Sequence, residues 1–492
     1  MLFSSLQFLF FLLVTFTLWW TVPAPYKARK VGLLIASAIF YCAWNYKPYF
    51  LIMYLVTFDY FIGRALMAST DKKRRKALVI ASTINNLGVL IFFKYINMLI
   101  DTFADGLAAL SPGTAGAFLA TLGKVVSPFG ITMNGSRLNV LLPLGLSFTV
   151  FQTLSYTIDV YRGKFAGTKS WLDFLLYISF FPHIIAGPIV RGSDLLPQLQ
   201  REPRITSEQG AIAILRVAKG LGKKLLIADY LAANIIDRVF TTPGVYSPLE
   251  VWAGVFAYTL QIYYDFSAYS DIAIGCAALF GYHFKENFDR PYKATSLNDF
   301  WRRWHISLSA WLRDYLYISL GGNRGGMAKT VRNTMITMIL GGIWHGATWR
   351  MALWGAMHGI GISIGRVMWG DKGMPDDKDL PYWRVGIGWF GTFMSVMLAR
   401  IYFRADSMDA AHAVFAGMVG SGLEAPNLTP ALLTVLSIAT ALHFGPSDLF
   451  ERCSKLFLRM PVPVRAMALV VLALVVKKVA SFDVQPFIYF QF

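Results

Sequence analysis

The chain has 492 residues, of which 55% are hydrophobic and only 15% are charged, whereas soluble domains carry about 25% charged residues. This composition excludes disordered, collagen-like and soluble nucleic-acid-binding proteins, and indicates that most of the surface meets lipid. Lysine and arginine still outnumber aspartate and glutamate by 46 to 28, which gives a net charge of +18. In a membrane protein such an excess marks cytoplasmic loops beside anionic lipid.

A membrane-spanning helix needs about 20 mostly apolar residues, and the first stretch of that kind begins at the second residue. It carries no charge, follows no basic segment and precedes no clear cleavage site, so we interpret it as a retained anchor rather than a signal peptide. In chain order the predicted crossings are Leu2–Val22, Val31–Trp44, Tyr49–Met67, Ala77–Ile100, Val140–Val160, Val251–Tyr282, Met335–Trp354, Ala356–Trp369, Val385–Phe403, Ala431–His443 and Ala466–Ser481.

Basic clusters predict the orientation of these crossings. The segments 27–30 and 71–76 are separated by two crossings, and both are rich in lysine and arginine. The positive-inside rule therefore puts both in the cytoplasm and the N-terminus outside. Segment Ile212–Phe240 also carries four basic residues near its start, which favours an interfacial position for its first half.

One apolar run, Leu172–Val190, has basic residues on both flanks and contains Pro182, His183, Gly187 and Pro188. These features favour a re-entrant segment that returns to the same side. Irregular backbone at membrane depth is tolerated only where protein or a water-filled cavity surrounds it. The run is therefore a first indication of an internal cavity.

The sequence thus predicts an all-α polytopic membrane protein with about eleven transmembrane helices plus re-entrant and interfacial segments. No internal repeat or composition shift marks a second domain, so we expect a single membrane domain over residues 1–492. Its sections are the N-terminal spans (1–100), an outer loop region rich in Gly, Ala and Ser (101–137), the core that holds the candidate chemistry (138–370) and the C-terminal spans (371–492).

His345 is the sharpest functional candidate, because ionisable groups at membrane depth are costly and are usually functional. It lies about ten residues from either end of the predicted crossing Met335–Trp354, between Trp344 and Gly346. Histidine can gain and lose a proton near neutrality, which general-base catalysis requires. The alternative is a core histidine that is hydrogen-bonded to a neighbouring helix.

The stretch 298–315 is the second candidate. At about 100° per residue its tryptophans and leucines share one face and its arginines the other, which predicts an amphipathic interfacial helix. His305 falls at the edge of the apolar face, where function and simple packing remain equal alternatives. In the following loop, 321–326, Asn323, Arg324 and backbone N–H groups could bind an anion, or the loop could be a flexible turn.

Gln261, Asp265 and Tyr269 lie one helical turn apart and share a face. Buried carboxylates need cations, and the nearby predicted helix supplies Arg302 and Arg303. We favour a structural ion pair over catalysis for these residues. The histidines and the three cysteines show no ligand spacing, so we expect neither a metal site nor a disulfide framework.

Several motifs resemble the bacterial branch of the membrane-bound O-acyltransferase family, and in particular its members that act in alginate O-acetylation. The likeness extends over nearly the whole chain and weakens in 101–137 and beyond about 405. The segments that carry it include Phe93–Tyr95, Tyr156–Arg162, Phe181–Pro188, Asp265–Asp271, Phe300–Ser309, Trp311–Tyr317, Leu320–Arg324 and Gly341–Gly346.

The resemblance implies a single helical domain with a central tunnel and two catalytic histidines: His345 as the general base, and His305, or a donor near it, as the group that stabilises the oxyanion. Beside these two residues, the candidates for lining the tunnel or contacting substrate are Trp344, Trp304, Arg303, Asn323, Arg324, Asp265 and Tyr269.

The same resemblance implies an O-acetyltransferase of the bacterial inner membrane, with its N-terminus in the periplasm. We expect acetyl-CoA or another acyl thioester as the cytoplasmic donor and no bound metal. The expected partners are a periplasmic or membrane-tethered acetyltransferase protein, a polysaccharide acceptor such as alginate and the lipid bilayer, but no nucleic acid. Acyl transfer to teichoic acid, peptidoglycan or cellulose stays open, as does a proton-coupled transporter or flippase that uses Asp265, Asp271 and His345.

Overall fold

The computed structural model describes residues 1–111, 113–129, 131–370, 377–479 and 487. Over these residues the chain is mostly helical, and its one sheet is an antiparallel pair of short strands, β1 (Met133–Asn134) and β2 (Arg137–Leu138). The predicted all-α fold class is therefore confirmed. Residues 371–376, in the predicted C-terminal section, and residues 480–481, which end the predicted crossing Ala466–Ser481, lie outside the described residues.

The helices differ widely in length. In chain order they are α1 (Leu6–Thr21), α2 (Tyr26–Cys42), α3 (Lys47–Ala68), α4 (Lys72–Leu90), α5 (Ile96–Leu110), α6 (Thr114–Val126), α7 (Leu146–Tyr161), α8 (Trp171–Ser179), α9 (Gly192–Leu199), α10 (Ser207–Gly222), α11 (Asp229–Leu231), α12 (Asp237–Thr241), α13 (Pro248–Leu279), α14 (Leu297–Arg303), α15 (Ile306–Trp311), α16 (Met327–His345), α17 (Trp349–Trp369), α18 (Tyr382–Arg404), α19 (Met408–Gly417), α20 (Pro430–Phe444), α21 (Leu449–Arg459) and α22 (Val462–Val479).

Short π-helical and 3-10 turns join or extend several of these helices. The π-helical turns are Ile91–Tyr95, Lys223–Ala228, Ala232–Ile236 and Leu312–Tyr317, and the 3-10 turns are Ser127–Phe129, Pro243–Val245, Pro291–Lys293 and Asp377–Asp379.

Among the described residues, three helical segments are long and apolar enough to cross a membrane: Lys47–Ala68, Lys72–Leu110 and Tyr382–Arg404. The pair α20 and α21 passes the same test together but is bent by 95°. Shorter apolar helices, of 10–17 residues, include α1 and α6. The predicted number of about eleven crossings stays a prediction.

The chain divides into two compact units. The smaller unit comprises Leu34–Ile185 and Arg191–Leu196, and the larger comprises Met1–Leu33, Ala186–Val190 and Pro197–Phe492.

In the smaller unit, a buried polar cluster ties together α3, α4 and α7. Asp59 accepts hydrogen bonds from the Ser82 hydroxyl and the Asn86 amide, both at 2.6 Å. Thr153 of α7 donates to the amide oxygen of Asn86 at 2.9 Å. Such polar contacts between apolar helices hold a membrane bundle together where the hydrophobic effect cannot.

Two stretches were predicted to differ from simple crossings: residues 101–137 as an outer loop with amphipathic pieces, and Leu172–Val190 as a re-entrant segment. Residues 101–137, interpreted above as an outer loop region, contain the end of α5, all of α6 and the β1–β2 hairpin. In Leu172–Val190, α8 ends at Ser179, and the chain through Pro182 and His183 is buried and non-helical. His183 Nδ1 lies 3.0 Å from the amide of Gln152 on α7, so this irregular backbone is packed against protein.

The larger unit is built around α13, a 32-residue helix whose residues are mostly buried. Ser247 and Glu250 form a reciprocal capping box at its start. Of the helices that bear the candidate site, α18 packs directly against α13, while α17 packs against α14, α16 and α18.

The predicted single crossing Met335–Trp354 is wrong, because the chain turns within it. Helix α16 ends at His345, Gly346 is extended, and α17 begins at Trp349 after the cap Thr348. The two helices cross where Gly342 and Gly355 lack side chains, since a Cβ on either glycine would overlap a carbonyl oxygen of the other helix. Close backbone contact at small residues is typical of helix pairs in membranes.

We predict that Gly355→Ala destabilises this hairpin, because the new methyl group would overlap the backbone of α16 at Met338. Overpacking of this kind costs about 1–3 kcal/mol. The melting temperature in detergent should fall. Gly365→Ala on the same helix is the matched control, because no atom lies within 4 Å of its Cβ position, and it should melt at or above the wild-type temperature. Equal melting temperatures for the two variants would contradict the proposed backbone contact.

Candidate active site

His345 occupies the corner between α16 and α17. It is the last residue of α16, and its side chain is buried. Three aromatic rings surround the imidazole: Trp344 at 4.9 Å, Trp354 at 5.2 Å and Phe403 at 5.3 Å between ring centroids. The end of one helix, the start of the next and the end of α18 thus converge on this side chain.

His345 faces a narrow internal cavity in the larger unit. Most of the cavity wall is aromatic or aliphatic, and three polar side chains break that wall. The lining residues are Ile262, Phe300, Trp304, His345, Trp354, His358, Arg400 and Phe403. An apolar lining with a few convergent polar groups is the usual form of a small-molecule site.

His305 is not among the residues that line this cavity. The imidazole is fully buried, and its ring packs edge-on to Phe266 at 4.7 Å and lies 6.4 Å from the ring of Trp344. Trp344 is thus close to both histidines. Of the predicted residues, Trp304 and His345 share the cavity, and Trp344 packs against His345.

The continuous amphipathic helix predicted over 298–315 is also wrong. Helix α14 ends at Arg303, and α15 starts at Ile306. His305 has a left-handed backbone with φ of 44°, a conformation that is uncommon for residues other than glycine and is often found at functional sites.

Asn287 stabilises this break, and sequence reasoning missed it. Its side-chain oxygen accepts hydrogen bonds from the backbone N–H of Ser307 at 3.1 Å and the Ser307 hydroxyl at 2.9 Å, and lies 3.3 Å from His305 Nδ1. Its backbone carbonyl accepts from the N–H of Ile306 at 2.9 Å. A single buried asparagine therefore replaces the helical hydrogen bonds that the left-handed residue interrupts.

The other charged and polar candidates lie away from the cavity. Arg303 is partly exposed and forms ion pairs with Asp299 at 2.8 Å and Asp289 at 3.7 Å. Asn323 and Arg324 are exposed in the glycine-rich loop, where Asn323 is hydrogen-bonded to the Tyr317 hydroxyl.

Asp265 forms a buried ion pair, but with a different partner from the arginines expected above. Lys224 Nζ lies 2.6 Å from Asp265 and 2.8 Å from Asp229. One turn along α13, Tyr269 packs between the rings of Phe3 and Phe487, at 4.6 and 4.7 Å.

Asp271 has an equally complete set of partners, with Arg216 at 3.1 Å and Lys219 and Lys223 both at 2.8 Å. The basic residues at the start of Ile212–Phe240 thus lie against the carboxylates of α13, because opposite charges neutralise each other where water is scarce.

Two cavity residues, His358 and Arg400, were not among the candidates chosen from the sequence. Both fall inside predicted crossings, so their ionisable side chains at membrane depth were the available signal. His358 packs against Trp354 with ring centroids 4.7 Å apart, which puts a second imidazole in the wall that holds His345.

We predict that Lys224→Met strongly destabilises the protein, because it leaves Asp265 and Asp229 buried without their cation. Removal of one partner of a buried ion pair costs about 3–5 kcal/mol. The control is Lys455→Met, which removes an exposed pair with Glu451 and should change stability by less than about 0.5 kcal/mol. Similar melting temperatures and detergent yields for the two variants would exclude a structural role for Lys224.

We also predict that Asn287→Ala lowers the melting temperature, since it leaves the buried polar groups of Ser307 without their acceptor. An unsatisfied buried donor costs about 1–3 kcal/mol. Asn298→Ala is the control, because Asn298 is exposed. If both variants melt at the wild-type temperature, Asn287 does not hold the break at His305.

Within the described part of the chain, no group of three or more His, Cys, Asp or Glu side chains is placed to hold a metal ion. The polar groups at the cavity are two imidazoles and one guanidinium, which suit proton transfer and the binding of negative charge.

Comparison with known proteins relates this site to a family. The model of the membrane-bound O-acyltransferase family matches residues 132–395, which include His305, His345 and most of the cavity wall.

Three relatives extend the match beyond that region. The chain is 40% identical to a probable alginate O-acetylase AlgI of Azotobacter vinelandii over 90% of this chain and 83% of that protein. It is 35% identical to a probable alginate O-acetylase AlgI of Pseudomonas putida over 100% of both chains. A peptidoglycan O-acetyltransferase of Helicobacter pylori is 32% identical over 80% of this chain and 74% of that protein. The chain therefore belongs to the membrane-bound O-acyltransferase family and is a multi-pass membrane acyltransferase.

Proposed function

We propose that this acyltransferase moves an acetyl group from a cytoplasmic thioester to an extracytoplasmic polysaccharide, with His345 as the general base. The observation that carries this proposal is the position of His345 at an aromatic-walled internal cavity. Such walls exclude water, which would otherwise hydrolyse the thioester.

The position of His345 at the end of α16 also suits a base. The C-terminus of a helix carries a partial negative charge, so it favours the positively charged imidazolium that forms when the base takes a proton. His345 is the final residue of a 19-residue helix, where this effect is greatest.

In the proposed reaction, His345 removes the proton of the acceptor hydroxyl as its oxygen attacks the thioester carbonyl. A C–O bond forms and the carbonyl oxygen becomes negatively charged. The tetrahedral intermediate then collapses, the C–S bond breaks, and the leaving thiolate receives the proton from His345. The products are an O-acetyl ester and a free thiol.

His305 contributes to this reaction as a positioning residue in our proposal. Its ring lies 6.4 Å from that of Trp344, and Trp344 packs against His345. The left-handed backbone at His305 also sets where Trp304 enters the cavity wall, because the two residues are adjacent in the chain.

The donor is proposed to be acetyl-CoA or a similar anionic thioester that arrives on the cytoplasmic side. Lys72, Lys73, Arg74 and Lys76 form an exposed basic cluster at the start of α4. Basic clusters of this kind attract anionic lipids and ligands. The positive-inside rule puts this cluster in the cytoplasm, which supports an inner-membrane location with the N-terminus in the periplasm.

The proposed acceptor is a bacterial polysaccharide, because the names of the relatives include both alginate O-acetylase and peptidoglycan O-acetyltransferase. We further propose that a periplasmic or membrane-tethered partner protein delivers the acetyl group to that polymer. Alginate is the leading acceptor within this class.

We predict that His345→Ala lowers acetyl transfer by about 10²-fold or more, since general-base catalysis contributes about 10²–10⁴-fold. The measurements are thiol release from acetyl-CoA by the purified protein and the O-acetyl content of exported polysaccharide, determined by mass spectrometry. The variant should elute from detergent as the wild type does.

His412→Ala is the control, because His412 is an exposed histidine outside the cavity, and it should transfer acetyl at the wild-type rate. Normal transfer by a folded His345→Ala protein would refute the proposed role of His345.

A further inference from the structure

Arg400 is a buried cation in the wall of the candidate site. It lies on α18 with 4% of its surface exposed. Its Nη1 donates hydrogen bonds to the Thr259 carbonyl at 2.9 Å and to the Tyr292 hydroxyl. Its guanidinium carbon lies 4.5 Å from the centre of the Trp304 ring. These contacts from three different elements fix the guanidinium in one orientation.

No ion pair to a carboxylate forms at Arg400 within the described residues, although such pairs occur at other basic residues. Arg404, one turn later on the same helix, lies 2.8 Å from Asp237, and Lys224 bridges two aspartates. Burial of an unpaired charge is costly. The neutral partners and aromatic faces around Arg400 offset part of this cost and leave its positive charge uncompensated.

Arg400 and His345 face the same cavity. Phe403 lies three residues after Arg400 on α18, so the two side chains share a helix face, and the Phe403 ring is 5.3 Å from the His345 ring. Trp304, which also lines the cavity, contacts the guanidinium. An acyl carbonyl in this cavity would therefore have the imidazole and the guanidinium within its immediate surroundings.

We propose that Arg400 binds the negatively charged carbonyl oxygen of the tetrahedral intermediate, an inference that rests on the proposed acyl transfer. When the acceptor oxygen attacks the thioester carbon, the electron pair of the C=O bond moves to the carbonyl oxygen. The guanidinium stabilises that charge until the C–S bond breaks and the C=O bond re-forms. A donor that is already oriented by Thr259 and Tyr292 needs no reorganisation during the reaction, which is what makes such electrostatic stabilisation effective.

We assign Arg400 to this oxygen rather than to a carboxylate on the acceptor, because Arg400 lines the same cavity as the candidate base His345. An acetyl carbonyl is small, whereas the carboxylate of an acidic sugar would bring the whole sugar ring to Arg400. Both sources offer a negatively charged oxygen, so the experiment must separate them.

The test compares Arg400→Met and Arg400→Lys with wild type in detergent or nanodiscs. Three rates are measured: hydrolysis of acetyl-CoA by water, acetyl transfer to a neutral sugar oligomer and acetyl transfer to a uronate oligomer. We expect Arg400→Met to lower kcat about 10²–10³-fold in all three reactions, as loss of an oxyanion donor does. KM for acetyl-CoA should stay within about 3-fold, because a ligand of the intermediate contributes little to substrate binding.

Arg400→Lys retains the charge, so it should recover part of the rate, and added guanidinium ions should raise the rate of Arg400→Met. This rescue distinguishes a chemical role from a structural one. Arg404→Met is the matched control on the same helix, because its guanidinium pairs with Asp237 outside the cavity. It should keep all three rates within about 2-fold of wild type.

Several outcomes would overturn the inference. Full activity in Arg400→Met would overturn the proposed role of Arg400. If His345→Ala were inactive in the same assay, the proposed acyl transfer would still stand. A loss confined to the uronate acceptor and to its KM would assign Arg400 to acceptor binding instead. If Arg400→Met fails to fold, unchanged kcat in a folded Arg400→Lys would count against the inference. Lack of acetyl transfer in wild type would overturn the proposed function and this inference together.

Discussion

The contact between the backbones of α16 and α17 is the constraint on which the candidate site depends. Gly342 and Gly355 allow the two helices to approach so closely that the chain reverses within a few residues of His345. If either helix were displaced by a side chain there, the imidazole would no longer face Trp354 and Phe403. Helix packing thus fixes the one group that can move a proton at this position.

In the larger unit, the buried aspartates of α13 form ion pairs with basic side chains. The carboxylates Asp265 and Asp271 on α13 are matched by basic side chains from the end of α10 and the π-helical turn after it. These groups serve the packing of helices, which is why the proton relay considered from the sequence has no free carboxylate on α13. Arg400 differs from these residues, since its partners are a carbonyl, a hydroxyl and aromatic rings rather than a carboxylate. The guanidinium of Arg400, in the same cavity as the candidate base His345, is suited to a reaction in which a carbonyl oxygen becomes negatively charged.

The sequence predicted the class of structure well and the positions of turns poorly. Composition identified a helical membrane protein, and His345 was selected from its place in an apolar run. The middle of a predicted crossing proved to be a helix end, because a hydropathy pattern does not register a break at Gly346 when the flanking residues are apolar. For the same reason, the pattern over 298–315 predicted one helix, although the left-handed His305 divides it.

What the sequence determined by itself is chemical: a lipid-facing body, an orientation bias from basic clusters, and a histidine at membrane depth. Only the tertiary structure decided which groups meet. Arg400 meets Thr259 and Tyr292 from far along the chain, His358 packs against Trp301 as well as Trp354, and Asn287 holds Ser307 across 20 residues, so no helical or strand period could assign them to the site. Their positions follow from the packing of helices, which puts Trp344 against His345 and close to His305 and sets Arg400 in the wall of the same cavity as His345.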